Sequence, residues 1–327
     1  MSIPWHEFKT LLANHRRVLL TSHVRPDCDA LGSELGMAGV LEAMGKQVRI
    51  VNGQSTPPNL AFIDPRRRIE VLGEAVTAED LADTELLIIL DTSAWAQLGP
   101  MGEVVRGTRA VKAVVDHHVS QDELGAQPFK DTTSESTGRL VLEFAKYSRV
   151  PLTAEIATPL FAAMATDTGW FRFRSAGSVA YRAAAELIDA GADPAEIYNE
   201  LYEQDTLARV LLRGRILCNV RDELDGRLAH TCVRLADFHE TGALPSDTED
   251  VVNMLLAIRG TQVAVIFVEQ KSGAFKISFR SRCSLDCNQL AAQFGGGGHK
   301  AAAGAMIAGT YDDVAAKVLD AVRSAMT

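Results

Sequence analysis

Imidazoles and carboxylates gather at a few places in this 327-residue chain. His23, Asp27 and Asp29 lie within SHVRPDCDALGS, Asp91 follows LLIIL, Asp116, His117 and His118 follow VKAVV, and Asp167 lies in ATDTGWF. Carboxylates and imidazoles without a thiolate suit borderline-to-hard divalent ions, Mn²⁺ best, with Mg²⁺, Co²⁺ or Fe²⁺ behind. Two such ions ~3.5–4 Å apart, bridged by one carboxylate, are the usual apparatus for phosphoryl transfer to water. They acidify a bridging water and stabilise charge on the phosphate oxygens. A helix N-cap accounts for Asp29 or Asp91 singly. It does not account for an aspartate and two adjacent histidines at the end of a third strand.

Strand-like runs at 18–22, 48–52, 86–90 and 111–115 alternate with helical patterns at 30–44, more weakly at 77–83, and at 92–106. That alternation predicts an α/β domain with a parallel sheet wrapped by helices. Parallel strands deliver their carboxyl ends to one edge, where ligands bind, so the separated clusters would converge in one cleft. Pro26 biases Arg25 towards extended backbone and stiffens the chain between His23 and Asp27. Asp27 and Asp29 then point the same way from an extended loop, with Cys28 packed inward between them. Gly45 ends the following helix. SIPWHEFKTLL reads as an amphipathic helix with Ser2 as N-cap and Trp5, Phe8 and Leu12 on one face. Further helices are predicted at 136–147, 154–166 and 178–190.

The pattern changes after about residue 190. A charged helical stretch over 194–219 reads as a connector, giving a catalytic domain at 1–190, a helical connector at 191–219 and a smaller α+β domain at 220–327. RLAHTCVRL, TQVAVIFVEQ and AFKISFRS are its predicted strands, with turns at Asp225-Gly226 and Lys271–Gly273 and helices at 247–259 and near 286–294. Gly295 to Gly298 form a glycine run followed by His299 and Lys300. The bland reading is a flexible hairpin loop. Glycines also let backbone N–H groups approach a phosphate closely, and Arg280 and Ser281 at the end of the preceding strand favour anion binding.

Composition narrows the field. The net charge of −9 argues against a long track along nucleic acid, which needs many phosphate contacts, but not against a short phosphorylated substrate. No apolar run approaches the ~20 residues that span a bilayer, and the N-terminus does not read as a secretory leader, so a cytoplasmic protein is expected. Five scattered cysteines do not form a disulfide framework. Cys283 and Cys287 lack a second pair to complete a zinc tetrahedron and read as reduced, packed thiols. Arg66, Arg67 and Arg68 read as a solvated loop.

SHVRPDCDALGS, ILDTS, VVDHH and ATDTGWF, in that order, resemble the four motifs of the DHH phosphoesterase superfamily. NQLAAQFGGGGHKAAAGA, with KISFRS before it, resembles the DHHA1 substrate-binding domain. Together they cover nearly the whole chain and are most similar to the bifunctional oligoribonuclease (nanoRNase) and 3′-phosphoadenosine-5′-phosphate (pAp) phosphatase family. The resemblance implies that His23 and Asp27 hold one Mn²⁺, that Asp29, His117 and Asp167 hold a second, and that Asp91 bridges both. It implies that Asp116 orients His117 and that His118 faces the scissile phosphate. Arg280, Ser281, Gly297, Gly298 and His299 would hold a terminal phosphate or nucleotide across the interdomain cleft. Short RNA oligonucleotides or nucleotide phosphates are the implied partners, and a homodimer the implied assembly. A cyclic dinucleotide (c-di-AMP type) phosphodiesterase shares this architecture. An inorganic pyrophosphatase lacks GGGGHK, and a RecJ-type exonuclease carries extra nucleic-acid-binding modules. A non-catalytic nucleotide-binding regulator would show a damaged ligand set, and every expected ligand is present.

Overall fold

The computed structural model describes residues 3–74, 76–248 and 251–326. The chain divides into two compact units, Met1–Gln204 and Asp205–Thr327.

Six strands form the sheet of the first unit: β1 (Arg17–Thr21), β2 (Gln47–Asn52), β3 (Ile69–Val71), β4 (Leu86–Leu90), β5 (Val111–Asp116) and β6 (Gln127–Lys130). All pair in parallel, in the order β3-β2-β1-β4-β5-β6. The chain builds outward from β1 to β3, then returns to lay β4 on the other flank of β1. The order therefore reverses between β1 and β4, which opens a crevice at their carboxyl ends. β4 is buried at every position, as expected for a central parallel strand covered on both faces. The expected strands are present; β3 and β6 were not foreseen, because they are short edge strands without an apolar run.

The helices of this unit are α1 (Trp5–Ala13), α2 (Cys28–Ala43), α3 (Trp95–Leu98), α4 (Met101–Gly107), α5 (Thr137–Ser148), α6 (Ala154–Asp167), α7 (Ser178–Asp189) and α8 (Pro194–Tyr202). Ser2, the expected cap of α1, lies outside the described residues. α1 buries Trp5, Phe8 and Leu12, and the Phe8 ring lies 4.8 Å from Phe129 and 4.7 Å from Phe144. α2 and α6 run antiparallel in close contact: a Cβ on Gly32 would fall 2.3 Å from the Pro159 carbonyl oxygen. This close approach brings the start of α2, with Asp29, to the end of α6, with Asp167.

Several local expectations are corrected. Asp27 and Asp29 do not share an extended loop: α2 starts at Cys28, and Asp27 is its N-cap, accepting from the Ala30 N–H at 3.0 Å. Arg25 is not extended but left-handed, with φ 55°. Cys28 is indeed packed inward, and burial pushes its thiol up to about 12. The helix expected at 92–106 is broken into α3 and α4, because Gly99 takes φ 50° and Pro100 lacks an N–H. The one expected at 77–83 is only a 3₁₀ turn, Glu79–Leu81.

The second unit holds a mixed sheet of β7 (Arg221–Glu223), β8 (Leu228–Val233), β9 (Val263–Gln270), β10 (Ala274–Ser281), β11 (Gly297–Gly298) and β12 (Ala302–Ala308), ordered β11-β12-β10-β9-β8-β7. Its helices are α9 (Leu207–Cys218), α10 (Leu235–Thr241), α11 (Val251–Leu256), α12 (Cys287–Ala292) and α13 (Tyr311–Met326). The helix expected at 247–259 is thus shorter, with residues 249–250 outside the described set. The stretch 194–219 is helical as expected, in two helices separated at residues 203–206. Thr206 caps α9 afresh by accepting from the Arg209 N–H at 3.1 Å. β12 went unforeseen because its alanines and glycine carry no alternation. α13 does bury Val314, Val318, Leu319 and Val322 at helical spacing, a signal that was readable.

Candidate metal centre

His23 follows β1, Asp91 follows β4, and His117 follows β5, so three adjacent strands deliver their side chains to one edge. Asp91 turns sharply there with φ 62°, a left-handed conformation that aspartate tolerates better than most residues. Asp91 Oδ2 lies 3.5 Å from His23 Nε2, and its Oδ1 lies 3.5 Å from His117 Nε2. One carboxylate thus faces two separate imidazoles with its two oxygens. Asp27 Oδ1 completes the first group, 3.8 Å from His23 Nε2. Asp29 Oδ2 and Asp167 Oδ2 complete the second, 3.7 and 3.5 Å from His117 Nε2.

Three groups among the described residues bring ligand atoms within 4.8 Å of one another: His23, Asp27 and Asp91; Asp29, His117 and Asp167; and Asp91, His117 and His118. The donors are oxygen and imidazole nitrogen throughout, which fits a divalent ion of the Mn²⁺ or Mg²⁺ type. Charge makes the same point. Burial, then the charges of Asp91 and Asp167, pushes the Asp29 carboxyl well above the usual range. Burial, then the charge of Asp27, does the same to Asp91. Such a cluster demands protons or cations, and its geometry offers cations two adjacent places.

Asp29 is held by backbone: the Thr137 N–H donates to Oδ2 at 2.8 Å and the Gly138 N–H to Oδ1 at 2.9 Å. Both donors are unpaired N–H groups of the first turn of α5, where a carboxylate is favoured. The Thr137 hydroxyl donates to Asp91 Oδ1 at 2.9 Å. Thr137 and Gly138 went unnoticed in the sequence, although the helix start at 136 was visible.

Asp116 requires a correction. Its partner is not His117 but His118, whose backbone N–H and Nδ1 both meet Oδ1, at 3.0 and 2.8 Å. His117 instead turns Nδ1 towards the Ser134 carbonyl oxygen, 3.2 Å away. The other oxygen of Asp116 accepts from Ser93 Oγ at 2.7 Å and pairs with Lys130 Nζ at 2.9 Å. Although burial opposes it, the donors from His118, Lys130 and Ser93 hold the Asp116 carboxyl well below the usual range. The hydrogen bond that His118 donates to Asp116 in turn raises His118. Lys130 is the last residue of β6, and no sequence signal marked it. The result is an oriented, half-exposed imidazole beside the carboxylates.

In the second unit Arg280, the penultimate residue of β10, lies opposite Ala302, whose carbonyl accepts from the His299 N–H at 2.7 Å, so these two expected residues are brought near each other. Ser281 is buried, and its hydroxyl accepts from the Cys283 N–H at 3.2 Å. The glycine run does not present a row of free N–H groups, which corrects that expectation. The N–H groups of Gly295 and Gly296 bond Ala292 and Ala291, and that of Gly298 bonds Asn288 Oδ1 at 2.9 Å. Glycine is needed there for close packing: a Cβ on Gly296 would fall 2.1 Å from the Gly304 carbonyl oxygen.

The family models agree with this architecture. The DHH family N-terminal domain matches residues 17–164, and the DHHA1 domain matches residues 226–327. A bifunctional oligoribonuclease and PAP phosphatase from Thermus thermophilus is 31% identical over 95% of this chain and 90% of its own length. A cyclic-di-AMP phosphodiesterase from Geobacillus thermodenitrificans is 26% identical over 92% of this chain but 46% of its own length. The crystal structure of an exopolyphosphatase-related protein from Bacteroides fragilis superposes with a TM-score of 0.85 at 25% identity, covering 98% of this chain and 94% of that one. The chain belongs to the DHH phosphoesterase family, with a DHHA1 domain following the DHH domain in the sequence, and is a hydrolase of phosphoester bonds.

Proposed function

We propose that this protein hydrolyses short oligoribonucleotides and pAp with the help of two divalent ions, Mn²⁺ foremost. The observation that carries the metal reading is Asp91, whose two oxygens face His23 and His117 on opposite sides. His23 and Asp27 would hold one ion, Asp29, His117 and Asp167 the other, and Asp91 both. Bound there, the ions supply an acidified water and neutralise charge on the phosphate. The chain's own residues do the rest. Thr137 and Gly138 fix the Asp29 carboxylate. Asp116, itself fixed by Lys130 and Ser93, orients His118, and the same bond favours the charged imidazole. His118 then stabilises charge on the scissile phosphate or hands a proton to the leaving oxygen.

The substrate reading is supported by relatives named as oligoribonuclease and PAP phosphatase that match this chain over nearly all their length. In it, Arg280 and His299 of the second unit (residues 220–327 as a substrate domain) anchor a terminal phosphate or nucleotide, with Ser281, Gly297 and Gly298 beside them. The five free cysteines and the lack, among the described residues, of any helix long and apolar enough to cross a membrane support a cytoplasmic enzyme. A homodimer is its family-based assembly. Hydrolysis of a cyclic dinucleotide is the second reading, favoured by phosphodiesterase relatives that match this chain over less than half their length.

A substrate panel decides between them: Mn²⁺-loaded protein with dinucleotides to 24-mers, pAp, a cyclic dinucleotide and pyrophosphate. Oligomers of roughly two to five nucleotides should turn over fastest, because a net charge of −9 gives longer strands few extra phosphate contacts. A 24-mer degraded faster than a dinucleotide overturns this reading.

A further inference from the structure

Immediately after Asp167 the chain does something costly. Gly169, Trp170 and Phe171 adopt φ values of 57°, 58° and 61° in succession, a left-handed run that bulky side chains enter only under constraint. The constraint is aromatic packing. The Trp170 ring lies 5.0 Å from Tyr198, 5.8 Å from Tyr202 and 6.0 Å from Phe161. Phe171 packs 5.4 Å from Tyr181 and 5.9 Å from Phe161. Two aromatic anchors therefore hold the loop, and the third aromatic of the segment behaves differently. Phe173 is 54% exposed, and it covers Gly169 so closely that a Cβ there would fall 2.5 Å from its ring.

Gly169 is two residues beyond Asp167, so the exposed ring rests against backbone within about 7 Å of a proposed metal ligand. That distance is of the order separating a phosphate from its nucleobase. Arg172 and Arg174 flank the ring. Among the described residues neither pairs with an acid; Arg172 Nε donates to the Gly169 carbonyl oxygen at 2.7 Å, and its guanidinium carbon lies 6.0 Å from the Phe173 ring centre. An exposed aromatic face beside guanidinium groups that have no acid partner is the surface on which a nucleobase stacks and a phosphate backbone is steered. A ring left in water for packing alone would not need this rigid support.

We propose that Phe173 is a stacking platform for a nucleobase of the substrate, and so sets a preference for base-bearing phosphoesters over base-free ones. The inference rests on the nucleotide-substrate reading above and adds to it the residue that reads the base. The test compares a 5′-phosphorylated adenine dinucleotide with its abasic counterpart, using Mn²⁺-loaded wild type, Phe173→Ala and Phe173→Trp. Stacking on one aromatic corresponds to about 5- to 150-fold in affinity. Phe173→Ala should therefore lower the kcat/KM ratio of base-bearing to abasic substrate by at least ~5-fold, mainly through KM, and Phe173→Trp should restore it. Mn²⁺ titration by calorimetry checks that the metal centre is intact. A Phe173→Ala variant that loses both substrates in proportion, or loses neither, overturns the platform. If wild type prefers the cyclic dinucleotide, the short-RNA reading fails, and the same variants on that substrate still decide the platform. If wild type makes no distinction between base-bearing and abasic esters, the platform falls as well.

Discussion

Replacing Asp116 by asparagine keeps the shape of the side chain and removes its charge, so it isolates what that charge does. In the structure Asp116 is fully buried and makes two contacts with His118, one with Ser93 and one with Lys130. A charge-assisted hydrogen bond contributes about 1.5–3 kcal/mol. The His118 side chain is 45% exposed, so solvent screening argues for the lower end, ~1.5 kcal/mol. If His118 acts in the transition state, kcat should fall about tenfold for that term alone. Lys130, whose side chain is only 10% exposed, would lose its counter-charge. Breaking a buried pair costs ~3–5 kcal/mol; because Ser93 and Ser120 still accept from Lys130, about 2–3 kcal/mol is expected here. For a unit of this size that corresponds to a Tm drop of about 5–10 °C.

The pH dependence has a definite sign. Asp116 is depressed in the folded state, so its contribution is present above the unfolded value of ~3.9 and is lost as pH falls through the folded value. His118 is raised, so its contribution is present below ~6.5 and is lost as pH rises through its folded value. The stability gap between wild type and Asp116→Asn should be widest between about pH 4 and 6.5. The alkaline limb of kcat should move to lower pH in the variant. Thermal melts, kcat–pH profiles and Mn²⁺ calorimetry are the assays, with Asp116→Asn/Lys130→Met as the companion. The double variant should regain stability without regaining kcat, since the orphaned cation is gone but the imidazole is still unheld. An Asp116→Asn enzyme with wild-type kcat and an unmoved alkaline limb would refute the assignment of Asp116 to His118.

Asp91→Asn should lower kcat by at least about a thousandfold, roughly 4 kcal/mol. It should also raise the Tm of the metal-free protein, because one buried repelling carboxylate is gone; near-normal turnover in that variant sinks the bridging role. Because Asp29 and Asp91 are raised by burial and by neighbouring carboxylates, ions must displace protons. Mn²⁺ affinity should then weaken as pH falls, and calorimetry in buffers of different ionisation enthalpy should show proton release; buffer-independent heats would contradict it. Arg280→Ala or His299→Ala should raise KM for short substrates roughly ten- to a hundredfold. Metal affinity should be retained in both, and a loss of metal binding with unchanged KM reverses the proposed roles of the two units.

The sequence by itself determined the parallel α/β class, the order of the motifs and the residues that meet at the candidate metal centre. These are periodic or compositional facts: a buried run such as LLIIL reads as a strand, and polar residues at its end have few other reasons to be there. Parallel pairing then sends His23, Asp91 and His117 to one edge without any knowledge of the loops. What only tertiary structure decided was which donor faces which acceptor. Asp116 and His117 are adjacent in the chain, yet adjacency along an extended backbone turns side chains apart, and Asp116 reaches His118 instead. Thr137 and Gly138 hold Asp29 from more than a hundred residues away, through N–H groups that no side-chain pattern advertises. Lys130 became a partner of Asp116 only because an unforeseen edge strand pairs with β5, where Asp116 lies opposite it in the register. The glycine run misled for the same reason: sequence shows that its backbone is free to approach something, and packing alone revealed that the something is β12.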